Sequence, residues 1–291
     1  MNPDKHGLEL ESEAGVVSYR SCRGKPMCLP QNQGGHGGSP LRSLILIAIS
    51  FLFILTNSVQ AEPVQVAVAA NFLGILKKIA IQFEQETGHK VIIVSGSTGK
   101  LYTQVTHGAP FDIFLSADAS RPKLLEDRGF AVPGSKFVYA VGKLILWSPD
   151  PAGIKSDGIE TLRDKKFDHL AMANPKTAPY GKAAVQVMQA LGLWDKLSPL
   201  VVQGEDIGQV FQFVITKNAD LGFVALSQVL ASNNINSGSR WDVPDSLHEP
   251  LAQEAVLLKH GQNNPAAHDL MVYLRGAKSA ELIERAGYGL K

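Results

Sequence analysis

Residues 64–87, VQVAVAANFLGILKKIAIQFEQET, join a short apolar run rich in valine to a stretch whose apolar residues recur every three to four positions. The first reads as a buried strand over 64–70. The second predicts a helix over 72–87, with Leu73, Leu76, Ala80 and Phe83 on its inner face, Lys77, Lys78 and Glu84 turned away, and Gly88 as its stop. The same alternation continues at 91–94 then 100–106, and at 113–116 then 121–128, which is the pattern of an open parallel sheet flanked by helices. KFVYAVGKLILW at 136–147 breaks this rhythm: twelve β-prone residues interrupted by Gly142 exceed one ordinary strand and could serve two sheets. Beyond it the expected order is a helix at 159–165, a strand at 169–173, a helix at 182–197 and a strand near Val201. A helix at 208–216, a strand at 221–225 and a short helix to Ala231 follow, then an irregular loop over 232–245, a strand at 252–258 and a helical tail over 265–286.

The implied fold class is α/β, a two-lobed arrangement hinged on two chain crossings, near residues 140–146 and 245–252. Lobe 1 is expected to comprise 62–142 plus 247–291 and lobe 2 to comprise 143–246. Two such lobes can close on a small ligand by hinge bending.

Residues 42–62, RSLILIAISFLFILTNSVQAE, decide the compartment. An arginine precedes twelve residues, Leu44 to Leu55, that are apolar except for Ser50, and small residues follow at Val59-Gln60-Ala61. This predicts a signal peptide over 42–61, cleaved before Glu62. An uncleaved anchor is the alternative, although a spanning helix needs about 20 apolar residues. Residues 1–41, without apolar periodicity, read as a disordered extension or as a start placed too far upstream. Removing 61 of 291 residues leaves 230, room for one large domain or two ordinary ones. Both cysteines, Cys22 and Cys28, precede the cleavage point, so the exported part has no thiol. A net charge of +1 without charged blocks gives no nucleic-acid surface.

Four loops open helices in this reading. Asn71 follows a strand and either caps the next helix or donates its amide to an anion held at the free helix N–H groups. Ser95-Gly-Ser-Thr-Gly-Lys100 offers two hydroxyls and close backbone approach. It is not a nucleotide phosphate loop, because Val94 and Leu101 stand where that motif needs Gly and Ser or Thr. Ala178-Pro-Tyr-Gly181 could present the Tyr180 amide with its ring as a wall. In Gly204-Glu-Asp-Ile-Gly208, Asp206 is the expected cap and Ile207 offers a main-chain amide. Turn and capping chemistry alone would also account for each loop.

Machinery for an enzyme is sparse after residue 62. There is no GxSxG elbow, no HExxH pair and no cysteine nucleophile. His89, His107 and His260 fall near predicted turns, and Asp112 and Asp118 read more simply as a strand residue and a cap than as a carboxylate pair.

VAVAANF at 66–72, SGSTGKLYTQV at 95–105 and HGAPFDIFLSAD at 107–118 carry a resemblance over the whole exported region. ANPKTAPYGKAA at 173–184, LGLWDKLSPLVVQGEDI at 191–207 and ADLGFVALSQ at 219–228 extend it. The chain resembles the periplasmic molybdate-binding proteins of ABC importers, the ModA type. The resemblance implies a type II two-lobed binding protein, molybdate or tungstate as ligand, a transmembrane permease as partner, and a periplasmic monomer with neither catalysis nor cofactor. It places ligand contacts at Asn71, Ser97, Thr98, Tyr180 and Ile207, the last two chiefly through backbone, and no site for a bare metal cation. Ala225 departs from relatives that carry a tyrosine donor there, and Tyr180 could substitute. Another oxyanion such as sulfate or phosphate is the alternative ligand, and a secreted α/β enzyme the alternative class.

Overall fold

The computed structural model describes residues 62–155, 157–232 and 238–290. The expected extension and signal peptide, 1–61, lie outside the described residues, and so does most of the centre of the 232–245 loop.

The opening strand β1 (Val64–Ala69) ends one residue before the expected point, because Ala70–Phe72 forms a 3-10 turn that leads into α1 (Leu73–Thr87). Helix α1 buries Ile75, Leu76, Ile79, Ala80 and Phe83, and stops at Gly88, whose φ of 77° lets its N–H close on Glu84 O at 3.0 Å. The chain continues through β2 (Val91–Gly96), α2 (Thr98–Thr106), β3 (Ile113–Leu115), α3 (Ser120–Asp127) and β4 (Phe137–Gly142). The second half comprises β5 (Leu144–Ser148), α4 (Gly158–Asp164), β6 (Leu170–Ala173), α5 (Pro179–Ala190), α6 (Trp194–Leu197) and β7 (Val201–Gly204). Then come α7 (Ile207–Ile215), β8 (Leu221–Ala225), α8 (Leu226–Ala231), β9 (Ser239–Asp242), β10 (Leu251–Leu257), α9 (Pro265–Arg275) and α10 (Ala277–Arg285).

These strands form two five-stranded sheets, ordered β2-β1-β3-β10-β4 and β7-β6-β8-β5-β9. In the first, β1 is parallel to β2 and β3, whereas β10 runs antiparallel to β3 and β4. In the second, β6 is parallel to β7 and β8, and β5 is antiparallel to β8 and β9. The fold is the two-lobed α/β arrangement expected, with one sheet in each lobe. The long β run at 136–147 does serve both sheets: β4 closes one, β5 enters the other, and only Lys143 intervenes.

Alternation along the central strands follows the period of two. Val64, Val66 and Val68 pack with α1, α9 and α10, together with Ile113, Leu115, Ala255 and Leu257. Ala67, Phe114 and Val256 face the other way, against Leu101, Val105 and Leu125 of α2 and α3. The second lobe is built around Trp147, Met172, Val187, Phe211 and Phe223.

Three expectations need correcting. The helix expected over 182–197 begins three residues earlier, at Pro179, and breaks at Gly192, whose φ of 67° is left-handed; α6 is a separate turn. The tail over 265–286 is two helices parted at Gly276, an extended residue with φ −74° and ψ 159°. The loop over 232–245 contains β9, whose SRWD pairs as an edge beside β5 and buries neither face fully, so its sequence lacks a clear apolar alternation.

Leu76 is fully buried against the first sheet while Ile81 on the same helix is 58% exposed. Leu76→Ala is expected to cost about 2–5 kcal/mol in chemical denaturation, with Ile81→Ala within about 0.5 kcal/mol of the parent.

Candidate functional site

All the loops singled out lie at the carboxyl ends of parallel strands, where an open α/β sheet leaves a crevice. Ala69 pairs with Gly96 at the last rungs of β1 and β2, and Ala173 with Gly204 at the last rungs of β6 and β7. The chain turns into a helix straight after three of these strands: at Ala70, Thr98 and Ile207. The two sheets bring those ends together around a narrow cleft, lined from the first lobe by Ala69, Ala70, Asn71, Gly96, Ser97, Thr98 and Ala117. The second lobe contributes Ala178, Pro179, Tyr180, Asp206 and Ile207. The five residues expected from the sequence therefore line one cleft.

Ser97 precedes α2 without capping it, and its buried Oγ has no partner. The Thr98 hydroxyl accepts from Ala117 N–H at 3.2 Å and keeps its own proton to donate. Asp206 caps α7 as expected: Oδ1 accepts from Gly208 N–H at 2.8 Å and Gln209 N–H at 3.0 Å, passing over Ile207. The one carboxylate at the cleft is thereby turned onto its own helix.

Asn71 is not a cap. It sits inside the 3-10 turn, and its Nδ2 donates to Gln253 Oε1 at 2.9 Å and to the Tyr288 hydroxyl at 3.1 Å. The hydroxyl of Tyr180 is likewise engaged, accepting from Gln253 Nε2 at 3.2 Å. Gln253, Tyr288, Tyr139 and Ser227 behind the cleft are residues that sequence reasoning missed. The only hint was a glutamine within an apolar strand.

Contacts between the lobes frame the cleft. Gly99 N–H donates to Thr177 O at 2.8 Å, Arg121 reaches Lys176 O at 3.3 Å, and Lys100 pairs with Glu205 at 2.5 Å. A wider groove of about 520 Å³ adjoins it past Ala117, Ala178 and Pro179. Four of its five charged groups pair with one another, Asp118 with Arg121 and Lys182 with Glu249, and Lys176 is the fifth. Asp112 is far from a pair with Asp118 in role: it accepts from Gln65 N–H at 2.7 Å and meets His260 Nδ1 at 2.8 Å. Among the described residues no cluster of His, Cys, Asp and Glu could hold a metal ion, and no helix is long and apolar enough to cross a membrane.

Burial pushes the phenols of Tyr139 and Tyr180 well above the ordinary tyrosine range and that of Tyr288 up to about 12. All three are neutral hydroxyls at physiological pH.

A fold and site of this kind define a solute-binding protein, two α/β lobes meeting at a small polar cleft. Residues 64–289 match the family model of bacterial extracellular solute-binding proteins. The chain is 52% identical over 238 residues to the molybdate-binding protein ModA of Azotobacter vinelandii, covering 82% of this chain and 94% of the relative. It is 46% identical over 241 residues to ModA of Rhodobacter capsulatus, covering 83% and 94%. The solved structure of the periplasmic molybdate-binding protein of A. vinelandii superposes with a TM-score of 0.76 at 42% identity, over 78% of this chain and 99% of that one. The chain belongs to the bacterial extracellular solute-binding proteins and, within them, to the ModA type.

A Cβ on Gly99 would stand 2.9 Å from Thr177 Cα and 3.0 Å from its carbonyl oxygen. Gly99→Ala should therefore hold the lobes apart, giving a larger radius of gyration in solution scattering than the parent under the same conditions; identical profiles would mean that the contact yields. A second test uses pH. The folded chain retains the Tyr288 proton above 10.0, where the unfolded chain releases it, so this stability is complete below 10.0 and lost as pH rises through about 12. Tyr288→Phe is expected to flatten the fall in denaturation midpoint over that window.

Proposed function

We propose that this chain is the extracytoplasmic receptor of an ABC importer, capturing molybdate, and tungstate by the same donors, between its lobes and delivering it to a transmembrane permease. The reading includes export through a cleaved signal peptide and action as a monomer. The observation that carries it is a cleft in which neutral donors from both lobes are left unspent: the Ser97 and Thr98 hydroxyls and the helix-start backbone at Thr98, Tyr180 and Ile207.

The chemistry suits a fully deprotonated tetrahedral dianion. Such an ion has only acceptors, so it is matched by donors and repelled by a free carboxylate. The starts of α2, α5 and α7 lie at the cleft, and each leaves first-turn N–H groups without intrahelical partners, with the positive end of the helix dipole beside them. Amides and hydroxyls so aimed can hold a desolvated anion without a lysine or arginine against it. Protonated phosphate has a hydrogen to place, and the nearest carboxylate, Asp206, is occupied by Gly208 and Gln209. Sulfate shares molybdate's needs and is discriminated by size, because a smaller ion loses contact with part of a cavity shaped for a larger one. The close relationship to proteins named as molybdate-binding supports the same choice.

Calorimetric titration of the purified chain should give one molybdate or tungstate per chain, with Asn71→Ala and Thr98→Ala each weakening binding by about 1–3 kcal/mol. No heat with either ion, together with saturable phosphate binding, would reject the reading. Unchanged affinity in both variants would remove those side chains from the site.

A further inference from the structure

Behind the cleft, one short helix reaches both of its walls. Helix α8 begins where β8 ends, and its first turn carries Ser227 and Gln228. The Gln228 side chain folds back over the helix start: its Oε1 accepts from Ala225 N–H at 3.1 Å and its Nε2 donates to the Ile207 carbonyl at 3.0 Å. A backbone N–H can only donate and a carbonyl can only accept, so these two partners admit a single orientation of that amide. Ile207 lines the cleft, and the Asp206 cap passes over its N–H.

Ser227 reaches the opposite lobe. Its hydroxyl donates to the Tyr288 hydroxyl at 2.9 Å and stands 3.4 Å from the Asn71 carbonyl oxygen. Tyr288 gives its one proton to that same carbonyl at 2.9 Å. Asn71, Ser227 and Tyr288 are each no more than 5% exposed, so a lost partner there is not replaced by solvent at no cost. The path from Ile207 through Gln228, along the backbone to Ser227 and through Tyr288 to Asn71 thus ties a cleft residue of one lobe to a cleft residue of the other.

Packing fixes the middle of this path. A Cβ on Gly287 would lie 2.5 Å from Leu230 Cδ1 and 3.1 Å from Leu226 Cδ2, so the chain entering Tyr288 rests directly on α8. The Tyr288 ring meets Phe72 edge-on, with centroids 5.6 Å apart. At the cleft itself the walls are already neighbours, since a Cβ on Gly208 would stand 3.5 Å from Ala70 Cβ.

We propose that the start of α8 fixes the span of the anion site, with Ser227, Gln228 and Tyr288 as positioning residues that set its size selectivity. None of the three lines the cleft, so they act through Asn71 and Ile207 rather than on the ion. Walls held at one separation favour the oxyanion that fills it, whereas looser walls can draw in around a smaller one. The bracket therefore works chiefly against sulfate.

The inference rests on the proposed anion site, and the test separates the two. Calorimetry on the purified full chain gives the Kd for sodium molybdate, and displacement of bound molybdate by sodium sulfate gives the selectivity between the ions. In Ser227→Ala, Tyr288→Phe and Gln228→Met, sulfate should displace molybdate at a ratio of sulfate to molybdate at least about fivefold lower than in the parent. The Ser227→Ala, Tyr288→Phe double variant should go no further than the stronger single one, because both break the same path. A merely structural role would lower the melting temperature of the unliganded chain and weaken both ions by one factor, leaving that ratio where it was. Selectivity within about twofold of the parent in all three variants, or effects of Ser227→Ala and Tyr288→Phe that multiply, would overturn the bracket and leave the anion site standing. A parent chain that binds no oxyanion would bring down both. Should Tyr288→Phe or Gln228→Met fail to fold, Ser227→Ala, which removes one hydroxyl, decides alone.

Discussion

A helix cannot bond its own first N–H groups, and in this chain several such starts are gathered at one cleft. Parallel strands make that possible. Each βα unit delivers its helix start to the carboxyl end of its strand, so a parallel core in each lobe lines up its donors along one edge. Setting those edges face to face concentrates amides and hydroxyls in one narrow cleft with no free carboxylate in it. The apolar packing under β1, β3 and β6 serves to hold these ends at a fixed height, since a strand slipped by one residue would turn its valines outward.

The lobes meet through apolar packing, with Ala69, Ala117 and Leu251 of the first entering the core of the second, and through a set of polar contacts. A backbone bond from Gly99 to Thr177, an exposed Lys100–Glu205 pair and the buried contacts of Gln253 and Ser227 cross between them, with Lys182–Glu249 at the rim. Exposed ion pairs contribute little. The buried bonds matter more, because a group that loses its partner there has no water to replace it. An arrangement of this kind can close firmly and still open, as a receptor that must release its cargo requires.

Much of this was legible in the chain itself. Valine-rich runs followed by three-to-four periodicity announced the βα units, and a twelve-residue β run around Gly142 announced the passage between sheets. The loops Ser97-Thr98, Tyr180 and Ile207 could be picked out because small residues, proline and a capping aspartate punctuate helix starts. Other elements were hidden. Gly192 and Gly276 looked tolerable inside helices, since a glycine's conformation is set by what surrounds it. The strand SRWD was invisible because an edge strand draws its order from its neighbour β5 rather than from its own pattern. Asn71 read as a cap or as an anion donor, yet its partners Gln253 and Tyr288 lie 182 and 217 residues away.

The sequence by itself therefore determined which segments become strands and helices and which loops carry donors, because periodicity, capping and turn chemistry act over a few residues. Tertiary structure alone decided which donors are spent and which are left for a ligand. Hydrogen-bond partnership in a dry interior depends on what approaches from remote parts of the chain, and no local pattern records that approach.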